Sequence, residues 1–588
     1  MSTVENLLAS AHHYVANRQY EAALRILVRG VQQFGNIPEV HHQLGLTLAQ
    51  SGHLKEGRQP IEKAIMLAPH VGLYRANLGR LFMAVRDLQS AERCLQEAID
   101  LDARLPDAWM WLSELQSEQR RYAEAEDSIR RALAIDGRRE DCTIFLARLL
   151  GQSGRVEAAL AVLEDRLRHD PTNQYLLSAR AFWLNYLDRP PADIVRAHHQ
   201  WGAQMASDEP PFFSHRKIHF DPNKRLHLAF ISQDFRKHSV AYFMKPWVLH
   251  RPQDRVQTSF LYDLHNQDPF TEWFAERVDH FVMAAPWDDS QIMEWISKHH
   301  VDILVDLSGH TSNRRWGVFR ARPAPLQVTY LGYPNTTGLP QMDARVVDVW
   351  TDPFGSENQA TETLVRLPSG FLCYLPPDDA PEIQPLPGLT KPLTLGSLNA
   401  LAKIQPVSLA MWADVLHAIP ESRLILKDRA LSEESTRQEV LQAFAQLGIS
   451  AERLTLLDYI DDPRGHLAIY HQIDLALDTY PYHGTTTTCE AMWMGVPTLS
   501  RIGDRHASRV GHSLHHKMGQ EGFDAQDADE FVRLAVYWSQ SREELAELRL
   551  GMREKMRMSG LVDGRQWAQE FEEALRELWA VVCEERSG

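Results

Sequence analysis

The sequence contains few cysteines and no long apolar segment. Five cysteines occur in 588 residues, far apart and without a CxxC pair: Cys94, Cys142, Cys373, Cys489 and Cys583. This usage argues against a disulfide framework and a cysteine zinc site, and it suits a reducing compartment. No stretch approaches the roughly 18 apolar residues of a membrane span, and the N-terminus lacks a basic region followed by an apolar run. We therefore expect a cytoplasmic protein.

The sequence also lacks an excess of positive charge. The formal net charge is −16 at pH 7 and the pI is about 5.9, which argues against a general affinity for nucleic-acid backbones or anionic membranes. A local basic pocket for one small anion stays compatible with this charge. We expect neither nucleic acid nor a membrane as a partner.

Motifs for metals and common cofactors are missing as well. There is no HExxH and no Cys/His ligand quartet, and the pairs His299-His300 and His515-His516 cannot both face one side of a regular element. A GxxxxGK[ST] phosphate loop and a GxGxxG after a strand are also absent. The sequence therefore predicts neither a metal site nor a bound cofactor.

The first positive feature is a repeat of 34 residues. In rows that start at Val4, Pro38, Gly72, Pro106 and Glu140, small residues fill the eighth column (Ala11, Gly45, Gly79, Ser113, Ala147) and the twentieth (Ala23, Gly57, Ala91, Ala125, Ala159). The seventeenth column holds Tyr20, Leu54, Leu88, Tyr122 and Val156. Small residues let the helices of a hairpin approach closely, and the larger column fills the gap to the next hairpin. This is the tetratricopeptide pattern.

We predict that residues 1–172 form an α-solenoid of about five such repeats. Its concave surface suits an extended peptide, whereas the alternative is a stabilising or dimerising appendage, so a homo-oligomer stays open. The small twenty-seventh column fails at Arg166, which makes the fifth repeat a transition or cap. Residues 173–224, with helical periodicity broken at Pro190-Pro191, are predicted as a helical bridge.

The remainder alternates short apolar runs with helical stretches. "RLHLAFIS", "VDILVDLSG" and "LQVTYLGYP" come first; after the Pro-rich linker 375–392, "LTLGSLN", "SRLILKD", "RLTLLD", "DLALDTYP" and "VPTLSR" follow. Such alternation predicts parallel βαβ units. We therefore expect two Rossmann-like α/β domains, residues 225–385 and 386–588. They should enclose a cleft at the carboxyl ends of their strands.

Four consecutive threonines, Thr485 to Thr488, lie between a predicted strand and a predicted helix. Free backbone N–H groups and the helix dipole favour an anion there, and the hydroxyls add donors suited to a diphosphate. The alternative is a capping box formed by Thr487 and Glu490 without any ligand. A helix cap requires only one threonine, so this alternative does not account for Gly484 or for the other threonines.

Other candidates are isolated residues in predicted turns. Lys403 lies between a strand and a helix, where it is either an anion-binding charge or a solvated lysine. His238 lies in a βα turn, where an imidazole can act as base or donor, although the chain has 27 histidines. Two loops, "LSGHTSN" and "LGYPNTTGLP", either line a sugar pocket or are simple turns.

The longer motifs carry a family resemblance. "GHTSNRRWGVFRARPAPLQVTYLGYPNTTGLPQMD", "LVRLPSGFLCYLPP", "SLNALAKIQP" and "LDTYPYHGTTTTCEAMWMGVPTLSRIGDRHASRVGHSL" together resemble the catalytic region of the O-GlcNAc transferase/SPINDLY family. The resemblance implies a tetratricopeptide solenoid joined to a two-domain GT-B glycosyltransferase that is inverting and needs no metal.

The resemblance also implies site residues. Lys403 resembles the lysine that binds the donor diphosphate, Thr486 and Thr487 the phosphate-binding hydroxyls, and His238 the active-site histidine with a base or positioning role. Glu490 stands at the place of an aspartate that holds the ribose hydroxyls. The motifs further place Asn399, His310, Thr311, Gly332, Pro334 and Thr485 among the nucleotide-sugar-binding residues.

The donor sugar implied by the resemblance is ambiguous. Thr485 stands where O-GlcNAc transferases carry a histidine, and "HSVAYF" and "NTTGLP" resemble the SPINDLY branch, whose plant member transfers fucose from GDP-fucose. UDP-GlcNAc and GDP-fucose are therefore both candidate donors. The family's asparagine ladder in the sixth repeat column is not expected here, because that column holds Ala9, Gln43, Asn77, Trp111 and Phe145.

The predicted function is transfer of the sugar to Ser or Thr hydroxyls of proteins. The acceptor hydroxyl attacks the anomeric carbon opposite the leaving diphosphate, whose growing negative charge Lys403, the threonine hydroxyls and the helix N-terminus stabilise. Two alternatives stay open. One is a catalytically inactive tetratricopeptide adaptor, and the other is a GT-B transferase for a non-protein glycan or lipid-carrier acceptor.

Overall fold

A computed structural model of the chain describes residues 3–215, 217–312, 315–386 and 391–587. The chain divides into two compact units, residues 1–153 and 154–588. Within the described ranges, no helix combines the length and apolar character that crossing a membrane requires. Part of the predicted linker, residues 387–390, and Asn313 of the "LSGHTSN" loop lie outside the described residues.

The first unit consists of helical hairpins. Its helices are α1 (Thr3–Ala16), α2 (Tyr20–Gln33), α3 (Pro38–Gln50), α4 (Leu54–Leu67), α5 (Gly72–Ala84), α6 (Leu88–Leu101), α7 (Pro106–Glu118), α8 (Tyr122–Ile135) and α9 (Glu140–Gln152). From α3 onward the first helix of each hairpin begins at a row start of the 34-residue repeat, and each second helix begins at the seventeenth column. The predicted tetratricopeptide solenoid is confirmed.

The small columns lie where the two helices of a hairpin touch. A Cβ added at Gly45 of α3 would lie 2.7 Å from the carbonyl oxygen of Gly57 in α4, and one added at Gly57 would lie 2.8 Å from that of Gly45. Both distances are shorter than van der Waals contact. The backbones of the two helices therefore approach to a distance that only small side chains permit.

The second unit begins with helices that precede the sheets. They are α10 (Val156–His169), α11 (Gln174–Leu184) and α12 (Pro191–Met205). The sequence predicts a solenoid that ends at residue 172, whereas in the structure α10 belongs to the second unit. Helix α11 ends before Pro190, and α12 begins with Pro191 at its first position, where the missing N–H is tolerated.

The first lobe, as we call the part built on strands β1–β7, is an α/β layer structure. Its strands are β1 (Leu226–Ser232), β2 (Val256–Tyr262), β3 (His280–Met283), β4 (Ile303–Asp306), β5 (Leu326–Thr329), β6 (Ala344–Val347) and β7 (Thr363–Arg366). Its helices are α13 (Ser239–His250), α14 (Pro269–Ala275), α15 (Asp289–Lys298) and α16 (Trp316–Ala321). Every recorded strand pair is parallel, in the order β3-β2-β1-β4-β5-β6-β7.

The second lobe is built on strands β8–β13. Its strands are β8 (Thr394–Ser397), β9 (Arg423–Lys427), β10 (Leu454–Leu457), β11 (Leu475–Leu477), β12 (Thr498–Arg501) and β13 (Asp524–Ala525). They pair in parallel in the order β10-β9-β8-β11-β12-β13. Its helices are α17 (Pro406–Ala418), α18 (Glu434–Gln446), α19 (Pro463–Ala468), α20 (Thr486–Trp493), α21 (Val510–Met518) and α22 (Ala528–Gln540).

The last two helices complete the second unit. They are α23 (Arg542–Met558) and α24 (Gly564–Ser587). Helix α24 returns to the first lobe and packs on α13; Phe571 of α24 lies with its ring centroid 5.3 Å from that of Trp247 and 5.1 Å from that of Tyr330. Burial of these aromatic rings ties the end of the chain to the first lobe.

Candidate functional site

Both sheets have a crevice where the strand order reverses. Connections run outward in opposite directions from β1 and β4 in the first lobe and from β8 and β11 in the second. Ligands of open parallel sheets bind beyond the carboxyl ends of the strands at such points. The candidate residues Asn399, Lys403 and Thr485 to Thr487 follow β8 and β11, so they collect at the crevice of the second lobe.

The threonines form the start of α20. Thr485 is the N-cap residue and makes no side-chain capping hydrogen bond. Thr488 is buried and its hydroxyl donates to the carbonyl oxygen of Gly484 at 2.9 Å. Thr485, Thr486 and Thr487 are partly exposed, and no hydrogen bond of their hydroxyls is found among the described residues. The capping-box alternative is therefore not formed, and free hydroxyl and N–H donors surround this helix end.

Lys403 places its ammonium beside the same helix end. It closes a short 3-10 turn, Leu401–Lys403, and its Nζ donates to the carbonyl oxygen of His483 at 2.7 Å. The ammonium also lies 4.1 Å from the ring centroid of Tyr482, a cation–π contact. Burial lowers the pKa of Lys403 to about 8, although Asp478 favours the charged form.

Asp478 and Asn399 support the loop that leads into α20. Asp478, which follows β11 and is 1% exposed, accepts hydrogen bonds from the N–H of Gly484 at 2.7 Å and from the hydroxyl of Ser500 at 2.8 Å. Asn399 donates weakly to the Asp478 carboxylate at 3.4 Å. Its buried Oδ1 has no partner within the described ranges, and a Cβ at Gly484 would lie 2.7 Å from it. Asn399 thus lies directly against Gly484.

Glu490 lies one turn into α20. It follows Thr486 by four residues and Thr487 by three, so the three side chains share one face of the helix. Oε2 of Glu490 lies 3.1 Å from Nε2 of His466, which is part of α19. The carboxylate therefore flanks the anion-favouring helix end and is held there by an imidazole.

His238 caps the N-terminus of α13 in the first lobe. The N–H of Val240 donates to its Nδ1 at 3.3 Å, and Oδ1 of Asp234 lies 3.5 Å from the same nitrogen. Burial, only partly offset by Asp234, lowers the pKa of His238. The ring is therefore neutral at pH 7, and with Nδ1 accepting it carries its proton on Nε2.

The turn with His238 faces the second lobe. Lys237 donates from Nζ to the carbonyl oxygen of Asp461, just before α19, at 3.4 Å. On α13, burial followed by the charge of Glu490 raises the pKa of Tyr242 to about 12. The start of α13 and the start of α20 thus border one cleft between the lobes.

His310 is held by protein groups on both nitrogens. Its Nδ1 lies 2.7 Å from the hydroxyl of Ser178 in α11, and its Nε2 lies 2.8 Å from the carbonyl oxygen of Thr337. Burial lowers its pKa to about 4. Neither ring nitrogen is left for a sugar. The neighbouring Thr311 is exposed and donates to the carbonyl oxygen of Ser308.

The "LGYPNTTGLP" loop makes most of its polar contacts within the first lobe. Thr336 donates to Oε2 of Glu362 at 2.6 Å, and the N–H of Thr337 donates to Oε1 at 2.7 Å. A Cβ at Gly332 would lie 1.7 Å from the carbonyl oxygen of Leu307, so this glycine is required for packing. Pro334 is partly exposed. The hydroxyls of this loop stabilise the first lobe and do not line an open pocket.

A small polar recess of about 20 Å³ lies at the crevice of the first lobe. It is bordered at the end of β1 by Ser232 and Gln233, at the end of β4 by Asp306 and Gly309, and by Arg315. Arg315 donates to Asp263 at 2.5 Å inside the lobe. The turn with His238 follows Gln233 closely in the chain. The first lobe therefore offers a polar recess beside the cleft.

The comparison with protein families decides the assignment. The model of glycosyl transferase family 41 matches residues 204–374 and 390–571, more than half of the chain. The chain belongs to glycosyl transferase family 41. The C-terminal domain of cilia and flagella-associated protein 70 matches residues 2–209, which covers the solenoid.

Relatives of the family 41 chain include plant proteins. It is 36% identical over 428 residues to the Solanum lycopersicum protein named "Probable UDP-N-acetylglucosamine--peptide N-acetylglucosaminyltransferase SPINDLY", covering 71% of this chain and 45% of that protein. The Arabidopsis thaliana protein of the same name is 36% identical over 422 residues, covering 70% and 46%. The chain thus spans less than half the length of these relatives.

A solved structure matches most of the chain. It is a mutant of the Thermobaculum terrenum O-GlcNAc transferase, with 30% sequence identity and a TM-score of 0.82, covering 88% of this chain and 98% of that one. The predicted fold, a tetratricopeptide solenoid followed by two Rossmann-like domains in the GT-B arrangement, is confirmed. The domain boundaries and the roles of single site residues stay predictions.

Sequence reasoning missed several residues of the candidate site. Asp478, His466 and Tyr482 were not singled out, although Asp478 and Tyr482 lie in the motif "LDTYPYHG". The rule that residues after parallel strands meet at one edge would have found Asp478, which directly follows β11. No local pattern marks His466, because its contact with Glu490 joins two helices. Across the described ranges, no cluster of three or more His, Cys, Asp or Glu suits a metal ion.

Proposed function

We propose that the chain transfers a sugar from a nucleotide donor to Ser or Thr hydroxyls of polypeptides, with inversion at the anomeric carbon. UDP-GlcNAc and GDP-fucose are the candidate donors. Family 41 membership and the names of the relatives support the reaction class. The single observation that carries the proposal is the position of the Lys403 ammonium, 2.7 Å from the carbonyl oxygen of His483, beside the uncapped start of α20.

This arrangement suits a departing nucleoside diphosphate. As the glycosidic bond breaks, negative charge grows on the β-phosphate, and preorganised donors in a partly dehydrated site stabilise it. Lys403 supplies a point charge, Thr486 and Thr487 supply hydroxyls, and α20 supplies N–H groups and its dipole. Asp478 fixes the loop through Gly484, so the donors need little rearrangement.

His238 is assigned a positioning role toward the acceptor. Its turn borders the cleft opposite α20, and the neutral ring offers an N–H at Nε2, for which no partner is found among the described residues. Such a donor orients the oxygen of the acceptor or of the sugar, and the acceptor proton passes to the departing diphosphate, which gains negative charge as the glycosidic bond breaks. The assignment depends on the contact between the Val240 N–H and Nδ1.

The first unit is proposed to bind the acceptor polypeptide. First helices of successive hairpins, α1, α3, α5 and α7, contact one another and so line the inner side of the solenoid. Between two of these helices, the guanidinium of Arg80 in α5 lies 5.2 Å from the ring centroid of Trp111 in α7. Side chains of this kind recognise an extended peptide without an asparagine ladder.

Radiolabelled UDP-GlcNAc and GDP-fucose, each incubated with the purified chain and a cell extract depleted of small molecules, test the proposal. We expect label in polypeptide with one donor, released by β-elimination as from O-linked Ser or Thr. Label only in glycan or lipid would favour a non-protein acceptor. Nucleotide binding without any transfer would favour an inactive adaptor.

Metal independence is part of the same proposal, because Lys403 and the start of α20 supply the positive potential that a divalent ion supplies elsewhere. We expect transfer in excess EDTA to stay within about twofold of the untreated rate. Loss of activity in EDTA that Mg²⁺ or Mn²⁺ restores would contradict this part alone.

A further inference from the structure

A buried lysine lies behind the carboxylate of Glu490. Lys427 is the last residue of β9 and is 5% exposed. Its Nζ lies 2.9 Å from Nδ1 of His466, and Nε2 of that ring lies 3.1 Å from Oε2 of Glu490. Three side chains from β9, α19 and α20 thus form one hydrogen-bonded row that ends beside the start of α20.

The direction of the hydrogen bonds in this row is fixed by chemistry. An ammonium only donates, so Nδ1 of His466 accepts and the neutral ring carries its proton on Nε2. Nε2 then donates to the carboxylate of Glu490. Burial lowers the pKa of Lys427, while Glu490 and Asp428 favour its charged form.

The row leaves one oxygen of Glu490 available. Oε2 is held by His466, whereas Oε1 has no hydrogen-bond partner among the described residues. Glu490 shares its helix face with Thr486 and Thr487, where the proposed function places the diphosphate. A carboxylate oxygen at that place accepts hydrogen bonds from hydroxyls of the attached ribose. A glutamate has one more rotatable bond than an aspartate, so it needs a fixed partner to present that oxygen in one place.

We propose that Lys427 is a positioning residue for nucleotide binding: it fixes the tautomer of His466, which pins Oε2 of Glu490 and leaves Oε1 for the ribose hydroxyls. This inference rests on the proposed function. The recorded hydrogen bond of the Lys427 ammonium runs to His466 and not to Glu490, so the inference assigns its main effect to His466. The chemistry applies to UDP and GDP alike, because both carry the same ribose.

A double-mutant cycle tests the inference, with UDP and GDP as calorimetric probes and the donor KM as a second readout. Lys427→Met should weaken nucleotide binding about tenfold, the effect of one lost charged hydrogen bond, and raise the KM with kcat within about twofold. Lys427→Arg, which still donates, should retain binding within about threefold. Lys298→Met, at the exposed end of α15, is the control for a lost lysine.

The second arm uses His466→Gln, whose amide can donate to Glu490 without help from Lys427. In that background Lys427→Met should change binding less than twofold. A tenfold loss in both backgrounds would overturn the inference, as would unchanged binding in the folded single variant. Wild-type chain that binds neither nucleotide would overturn both proposals. Nucleotide binding without sugar transfer would overturn only the proposed function.

Discussion

Lys403 combines a full charge with a partly buried site, and this makes donor binding sensitive to pH. Its pKa of about 8 means that the charged form dominates below pH 8 and is lost above it. A diphosphate binds the charged form more tightly. We predict that the affinity for UDP or GDP is constant from pH 6.5 to about 7.5 and falls up to about tenfold by pH 9.5. Calorimetry across this range checks the prediction, and a profile that rises toward pH 9.5 would contradict it.

The tautomer of His238 distinguishes the positioning role of this residue from the base role, and the sequence did not decide between them. We predict that His238→Ala lowers kcat at least tenfold, because a donor to the reacting oxygen is lost. His238→Gln should recover a measurable part of the rate, since its amide N–H can reach the place of Nε2 but cannot accept a proton as a base. Steady-state kinetics with unchanged nucleotide affinity checks this. Equal loss in both variants would favour the base role, and full activity in His238→Ala would exclude both roles.

At this scale the sequence predicted some positions better than others. Thr485 to Thr487 and Lys403 were placed by a rule about strand ends and helix starts, and the structure brings them together. His310 and the "LGYPNTTGLP" loop were grouped with them because hydroxyls and histidines suit a sugar. Their hydrogen bonds run instead to Ser178 and Glu362, which lie far away in sequence. Long-range partners of this kind leave no local trace.

At the scale of elements, the start of α20 depends on close packing beneath it. A Cβ at Gly484 would lie 2.7 Å from Oδ1 of Asn399 and 2.9 Å from Oγ1 of Thr488, so these side chains, which support the helix start, must shift. We predict that Gly484→Ala weakens nucleotide binding at least fivefold and lowers the free energy of unfolding by about 1–3 kcal/mol. Calorimetry and denaturant unfolding measure both effects.

Gly551 provides the matched control. It lies within α23, and a Cβ there would meet nothing within 4 Å. Gly551→Ala should leave binding unchanged and stabilise the protein by about 0.5–1 kcal/mol, because alanine is the better helix former. Equal nucleotide binding in the Gly484→Ala variant and the wild type would contradict the role assigned to this helix start.

The periodic elements were the most predictable part of the fold. Helices α3, α5, α7 and α9 begin at the row starts read from the 34-residue repeat, because small and large residues recur wherever helices pack. Strands β1, β4 and β5 were predicted from continuous apolar runs, since strands covered on both faces bury every side chain. Strand β13 has only two residues, too short for any sequence pattern to mark.

At the scale of the whole molecule, the described site residues all belong to the unit 154–588, whereas the proposed peptide surface belongs to the unit 1–153. We predict that a fragment of residues 154–588, once circular dichroism shows it folded, binds nucleotide within about twofold of the full chain. Its transfer to polypeptide should fall at least tenfold. Undiminished transfer by the fragment would contradict the acceptor role of the solenoid.

The most direct test of the central claim is calorimetric binding of UDP-GlcNAc and GDP-fucose to the full chain, with Lys403→Ala alongside. We predict that one donor binds clearly more tightly and that Lys403→Ala weakens this binding at least tenfold while the protein stays folded, as expected for a lost charged contact of about 1.5–3 kcal/mol. Preference for UDP-GlcNAc would make the chain an O-GlcNAc transferase, and preference for GDP-fucose an O-fucosyltransferase. Binding of neither donor, or equal binding in the variant, would contradict the account.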